Sequence, residues 1–372
     1  MELISARHPL TIFVGSGGVG KTTLAAAAGV LAARSGRGTL VMTFDPSLRL
    51  KDALGVGEEA REREVPVDLT SLGLGLGAER GRLDASLLDA RRTFDRLVER
   101  YAPDADSRQR ILGNRFYQHL SGSLGGILEY MAVERLFEVA AAGRYDQVIL
   151  DTPPTRQALD FLEAPRRIVG FLDSGALKLA LKPWFDAEGR LQATARWGGL
   201  GRRAERFLDE VVGLDLLRDM AEFFQAFAPL YAGFRERAAA VEALLAAERT
   251  LFVLVSGPGE ERIPDTLFFA RRLEQAGYRL GPIVVNRVHP RNDPRDTAAG
   301  AITPAAATDP CRPDGRELLR WLGERDHRGL RSLADLLPGR PLVSLPLLAE
   351  EPTDLPALAA LGEDLERRLA AL

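Results

Sequence analysis

Alternating strand-like and helix-like segments predict an α/β fold: a doubly wound, mostly parallel sheet with an inserted helical subdomain. Three observations carry that expectation. The apolar run Leu10 to Val14 leads through Gly15-Ser16-Gly17-Gly18-Val19-Gly20-Lys21-Thr22 into an Ala-rich helical segment, Thr22 to Arg34. Strand-like segments recur at Thr39 to Phe44, Gln147 to Leu150, Leu251 to Val255, Pro282 to Val285 and Pro341 to Leu345, most followed by helical patterns. Leu83 to Arg144 and Pro165 to Glu248 read almost wholly as helix.

The expected organisation is a nucleotide-binding core in three pieces, residues 1–82, 145–164 and 249–372, interrupted by a helical subdomain in two, 83–144 and 165–248. Within the second helical piece Leu216, Met220, Phe223, Phe224, Phe227, Leu230, Tyr231 and Phe234 recur at three-to-four-residue spacing, which makes one face strongly apolar. Sibling helices would cover that face, or it would form a groove for an apolar client. Pro229 is expected to kink or split the helix. Gly55 to Asp68, Asp186 to Arg202 and His289 to Gly315 read as loops. With one glycine-rich loop and no internal repeat, the chain reads as a single nucleotide-binding unit.

The glycine-rich stretch is built for phosphate. Its glycines let successive backbone N–H groups converge, and the positive end of the following helix reinforces them. Lys21 adds a point charge for the β- and γ-phosphates, and the Thr22 hydroxyl is placed to complete a Mg²⁺ shell. Tyr145-Asp146-Gln147-Val148-Ile149-Leu150-Asp151 is a buried-strand pattern ending in a carboxylate, which makes Asp151 the candidate magnesium partner through water. Asp45 follows the second strand at the same sheet edge, where it would orient the attacking water or simply start a turn.

Composition bounds the alternatives. A chain of 372 residues suits two domains or one core with an insertion, and a net charge of −3 offers no electrostatic case for nucleic acid. Only four of 49 basic residues are lysines, so a lysine inside a functional loop stands out. The longest low-polarity run, Leu24 to Ala33, is too short to span a bilayer, and Met1-Glu2-Leu3 lacks a basic start, so a cytoplasmic protein without stable membrane insertion is expected. Cys311 is the single cysteine, and His8, His119, His289 and His327 lack metal-ligand spacing.

Taken together, Gly17-Gly18-Val19-Gly20-Lys21-Thr22-Thr23, Asp45-Pro46 as a first switch, Asp151-Thr152-Pro153-Pro154-Thr155 as a second switch and Val284-Val285-Asn286-Arg287 resemble the deviant phosphate-loop ATPases. That group includes the arsenite-pump ATPase, the guided-entry ATPase that targets tail-anchored membrane proteins and, more distantly, the Min and Par ATPases. Asp160-Phe161-Leu162-Glu163-Ala164-Pro165, with Glu129-Tyr130-Met131-Ala132, is similar to a bacterial branch labelled anion-transporting ATPase. The resemblance implies an ATP hydrolase using ATP and Mg²⁺. Asp45 would activate water and also lie near the metal, Thr22 and Asp151 would serve magnesium, and Asn286 would meet the adenine edge. Gly15 through Thr23 would cradle the phosphates, and Pro346-Leu347-Leu348 would wall the base. It further implies a nucleotide-gated homodimer, or a heterodimer with a paralogue, that handles an apolar client or partner protein.

The departures narrow this. The family's signature lysine, which reaches across the dimer, stands here as Ser16, and a serine cannot make that charge-assisted contact. Arg156, and Arg49 in the first switch, are the nearest replacement cations, and Leu48 stands where the first switch often has histidine. With Cys311 alone, neither the pump's arsenite-binding cysteines nor the guided-entry zinc clasp can be built. Two other readings are a Min/Par-like positioning ATPase and a low-turnover nucleotide-binding subunit paired with a lysine-bearing paralogue. Against lipid anchoring by the first, the amphipathic stretch Leu355 to Leu372 carries Glu363, Asp364 and Glu366.

Overall fold

Strands β1 (Leu10–Gly15), β2 (Thr39–Thr43), β3 (Val65–Pro66), β4 (Leu83–Leu87), β5 (Gln147–Asp151), β6 (Thr250–Ser256), β7 (Leu280–Val288) and β8 (Leu342–Pro346) form one sheet. Their order is β3-β4-β2-β5-β1-β6-β7-β8. All neighbours are parallel except β3 and β4. The structure, a computed structural model, describes residues 8–44, 49–73, 81–118, 127–173, 219, 222–223, 225–291 and 315–372. These fall into two units: Met1–Leu87, Gly143–Ala158 and Ala246–Leu372 make the first, and Leu88–Ala142 with Leu159–Leu245 the second.

In the first unit, parallel strands buried on both faces read as continuous apolar runs, as in Leu10–Gly15 and Thr250–Ser256, because helices cover both sides. Helix α1 (Lys21–Arg34) is almost entirely buried against the sheet. It also packs on α10 (Leu355–Ala370), and the two share one core with Phe13, Val41, Ile149, Val253 and Val284. Small residues make both approaches, to the sheet and to α10, possible. A Cβ on Gly29 would collide with Val41, and one on Gly362 would lie 2.7 Å from the Ala27 carbonyl oxygen. Between them in sequence, the helices of this unit include α2 (Arg49–Leu54), α8 (Ile263–Gln275) and α9 (Gly315–Leu336). No described helix is long and apolar enough to cross a membrane.

Two sequence expectations need correction here. Leu83–Leu87, expected at the start of a helical stretch, is strand β4, in register beside β2 from Thr39↔Leu83 to Thr43↔Leu87. Within Gly55 to Asp68, expected to be loop, lie a 3-10 turn at Glu58–Arg61 and strand β3, which pairs antiparallel with β4.

The second unit is helical. Its elements are α3 (Ala90–Tyr101), α4 (Ala105–Leu112), α5 (Ile127–Ala142), most of α6 (Thr155–Asp173) and α7 (Tyr231–Ala246). Asp89 and Asp104 cap α3 and α4 through bonds to Arg92 N and Ser107 N. Pro229 does split its helix: Ala228–Leu230 forms a 3-10 turn before α7 begins. Phe223, Phe227, Leu230 and Phe234 are buried in the unit's own core with Phe94, Tyr117 and Tyr130, and rings of Phe223 and Phe227 stack at 5.4 Å. For these residues, then, sibling helices cover the apolar face. Leu216, Met220 and Phe224 lie outside the described residues.

That core also encloses a charge pair. Glu134, fully buried, has Oε1 2.8 Å from Arg237 Nε, while the Tyr130 hydroxyl donates to Oε2 at 2.8 Å. The Arg237 guanidinium lies over the rings of Tyr101 and Phe234, at 4.1 and 4.8 Å from their centroids. Burial pushes the Glu134 carboxyl above its ordinary value, and the Tyr130 bond and Arg237 offset only part of that rise.

Candidate functional site at the carboxyl ends of the central strands

The chain reverses its winding around β1, which sits between β5 and β6. In open α/β sheets the crevice outside the strands' carboxyl ends at such a point is where ligands bind. The glycine-rich loop leaves β1 there and enters α1.

The loop's backbone needs its glycines. Gly15, Gly18 and Gly20 have φ values of 148°, 75° and 95°. A Cβ on Gly15 would strike the Val255 carbonyl of β6, and one on Gly20 would strike the Asn286 side chain. At Gly18, by contrast, a Cβ would meet nothing within 4 Å, so open space lies over the loop's apex. Helix α1 follows with no acidic residue in its first turn, which leaves its positive end free for an anion.

Lys21 is buried and folds back over the loop, donating to the carbonyls of Gly15 at 3.0 Å and Ser16 at 2.9 Å. Thr22, one residue on, donates through Oγ1 to Asp151 Oδ2 at 2.7 Å. Asp151 ends β5 and is fully buried. Sheet register sets it beside Phe13 of β1 and Thr43 of β2, and the Thr43 hydroxyl donates to the same Oδ2 at 3.0 Å. The next residue, Thr152, anchors this edge by donating both its N–H and its hydroxyl to the Phe13 carbonyl. A threonine hydroxyl and a carboxylate held together beside a phosphate-type loop are hard oxygen donors suited to Mg²⁺, which takes few protein ligands and keeps phosphate and water oxygens. The residues therefore fit a magnesium nucleotide.

The remaining expected residues are distributed as follows. Ser16 is 4% exposed, and its hydroxyl donates to Asp265 Oδ2 of α8 at 3.2 Å. Gly17 faces Pro154, just past β5, with Pro154 Cβ 3.5 Å from where its own Cβ would be. Val19 is buried, and Thr23 lies half-buried in the first turn of α1. Asn286 is buried against the loop: its amide donates to the Val19 carbonyl at 2.9 Å, and its Oδ1 accepts from Arg287 N at 3.0 Å. Pro346 ends β8, and exposed Leu347 donates its N–H to the Val288 carbonyl at 2.9 Å. Asp45, Leu48 and Cys311 lie outside the described residues, as does the side chain of Arg156.

Sequence reasoning missed three participants. Thr43 is detectable only from its register with Asp151, Asp265 only from the fold's placement of α8, and Arg287 only from its backbone. Just past β7, Asp326 of α9 is fully buried and accepts from His289 N at 3.0 Å; His289 Nδ1 lies 2.7 Å from the same oxygen. Burial pushes this carboxyl up, but the His289 bonds and Arg325 together outweigh it and hold Asp326 below its ordinary value.

The family model described as anion-transporting ATPase matches residues 9–186. An uncharacterized protein of Streptomyces coelicolor is 29% identical over 87% of this chain and 71% of its own length. A putative arsenical pump-driving ATPase of Halobacterium salinarum is 31% identical over 46% of this chain, a match that spans only 26% of that protein. ATPase GET3 of Zygosaccharomyces rouxii is 28% identical over 62% of this chain and 68% of its own length. The match over residues 9–186 takes in the glycine-rich loop and strands β1 to β5, so this part of the chain is similar to the anion-transporting ATPases.

Proposed function

We propose that the chain binds Mg-ATP at the glycine-rich loop and hydrolyses it. The contact that carries this reading is the 2.7 Å bond from the Thr22 hydroxyl to the buried Asp151 carboxylate, one residue beyond the loop lysine. Lys21 would exchange its two loop carbonyls for the β- and γ-phosphates, and Thr22 with Asp151 would hold the ion. Magnesium supplies neutralisation of the charge on the transferring phosphoryl group. Asp45 orients the water, Asn286 meets the adenine edge, and Pro346 with Leu347 walls the base. Arg156 is the candidate for the missing second cation, and an unchanged turnover of Arg156→Ala would remove it from the mechanism.

The same reading makes the working assembly a cytoplasmic dimer gated by nucleotide, whose helical unit handles an apolar client or partner protein. Its support is the likeness to the arsenical pump-driving ATPases and GET3. Because Phe223, Phe227 and Phe234 fill the unit's own core, a client surface has to be sought on other residues. The test is Mg-dependent ATP binding and phosphate release by the purified chain; no Mg-dependent binding sinks the reading. Mass measurement with and without a non-hydrolysable ATP analogue tests the dimer, which is refuted if ATP changes neither assembly nor shape.

One observation favours a second reading, a low-turnover subunit beside a lysine-bearing paralogue. Ser16 puts no cation at the signature position, and its hydroxyl is turned inward to Asp265. Full turnover by the chain alone would exclude it.

A further inference from the structure

The end of β7 is irregular in a way that bears on the phosphate loop. Between Val285↔Ser344 and Val288↔Pro346, β7 has one residue more than β8, which is a β-bulge in a parallel pair. Asn286 and Arg287 occupy it. Among the described residues Arg287 alone, other than glycines, has a positive φ, at 64°. A left-handed backbone is disfavoured for an arginine, and such strain persists only where the surroundings impose it.

The two bulge residues grip consecutive peptides of the loop. Arg287 Nη1 donates to the Gly18 carbonyl at 3.2 Å, and Asn286 Nδ2 donates to the Val19 carbonyl at 2.9 Å. The other arm of Arg287 reaches Glu351 at 3.0 Å. In a trans peptide the C=O and the following N–H point in opposite directions, and there is no cis bond here. Holding the Gly18 and Val19 carbonyls toward β7 therefore turns the N–H groups of Val19 and Gly20 away from it, as a consecutive pair of donors for an anion.

Resting on the nucleotide reading above, we propose that Arg287 is a positioning residue for the phosphate loop, held in a strained bulge so that its guanidinium orients the Gly18–Val19 peptide for phosphate. It acts on the loop's backbone and does not itself touch the nucleotide. Arg287→Gly keeps the left-handed backbone and removes the guanidinium, and Arg287→Lys restores one donor.

Affinities for ADP and for pyrophosphate, which engages the loop without a base, are measured by displacement of a fluorescent ADP, with circular dichroism as a check on folding. Arg287→Gly is expected to weaken ADP and pyrophosphate alike by about tenfold, equivalent to about 1.4 kcal/mol. Arg287→Lys is expected to recover most of that loss. Unchanged affinities, a loss for ADP with none for pyrophosphate, or a lysine variant as weak as the glycine variant would each overturn the role. If the wild-type chain binds neither probe, the nucleotide reading falls and takes this inference with it; if the wild type binds and the variants match it, only this inference falls.

Discussion

Two threonines bond the same oxygen of the same buried carboxylate, and they separate the structural duty of Asp151 from its proposed metal duty. Thr22 Oγ1 and Thr43 Oγ1 lie 2.7 and 3.0 Å from Asp151 Oδ2. Valine is nearly isosteric with threonine, so Thr22→Val and Thr43→Val each delete one hydroxyl and little volume. A hydrogen bond to a charged group contributes about 1.5–3 kcal/mol. Each variant should therefore lose about 2 kcal/mol without nucleotide, or about 4–8 °C of melting temperature for a unit of this size. Because both bonds serve one oxygen, the double variant should depart from additivity by about 0.5 kcal/mol or more.

The metal duty should split the pair. In Thr43→Val, magnesium should still strengthen ATP binding as in the wild type, whereas in Thr22→Val most of that increment should vanish. Titrating ATP by calorimetry in magnesium and in EDTA, alongside thermal melts, gives both quantities for each variant. A Thr22→Val protein that keeps the full magnesium increment, or a Thr43→Val protein that loses it equally, would refute the assignment of Thr22 as the metal's hydroxyl.

In the helical unit, Glu134→Gln should cost about 3 kcal/mol by leaving the enclosed Arg237 without its counter-charge. Pairing it with Arg237→Met should recover most of that in urea unfolding, and equal losses for single and double variants would contradict the account. Asp326 has a folded pKa below its unfolded one, so its contribution is complete above the unfolded value, about 3.9, and disappears as pH falls through the lower folded value. Asp326→Asn should accordingly melt below wild type at pH 7, with the gap closing in melts taken from pH 5 downward. Gly362→Ala sets a methyl 2.7 Å from the Ala27 carbonyl oxygen and should destabilise by about 1–3 kcal/mol, and an unchanged melt would mean that α1 and α10 separate easily.

The strands around the loop are legible because parallel, doubly covered strands leave uninterrupted apolar runs, and the phosphate loop is legible because its chemistry is local. Strand β4 is not, because Asp84 interrupts its pattern. That carboxylate is 6% exposed, and its partners, the Tyr145 hydroxyl at 2.7 Å and Arg82 at 2.8 Å, include one far along the chain. The same holds for Ser16. The resemblance implies a lysine at this position, but that the serine hydroxyl turns inward to Asp265 depends on where α8 lies. Asn286 is picked out by the resemblance alone, and the bulge within β7 that aims it at Val19 is a matter of register between β7 and β8, which no run of residue types encodes.

The packing of α1 on α10 also orders events during synthesis. The helix that follows the phosphate loop emerges early, but the surface that covers it is translated only after both segments of the helical unit and the strands β6 to β8. Contacts so far apart in sequence carry a loop-closure cost that slows folding, and until they form, the Ala-rich face of α1 stays uncovered. Capacity for nucleotide should therefore arrive late on the ribosome, and a nascent chain stalled before Leu355 should hold a loop of correct sequence that does not yet bind.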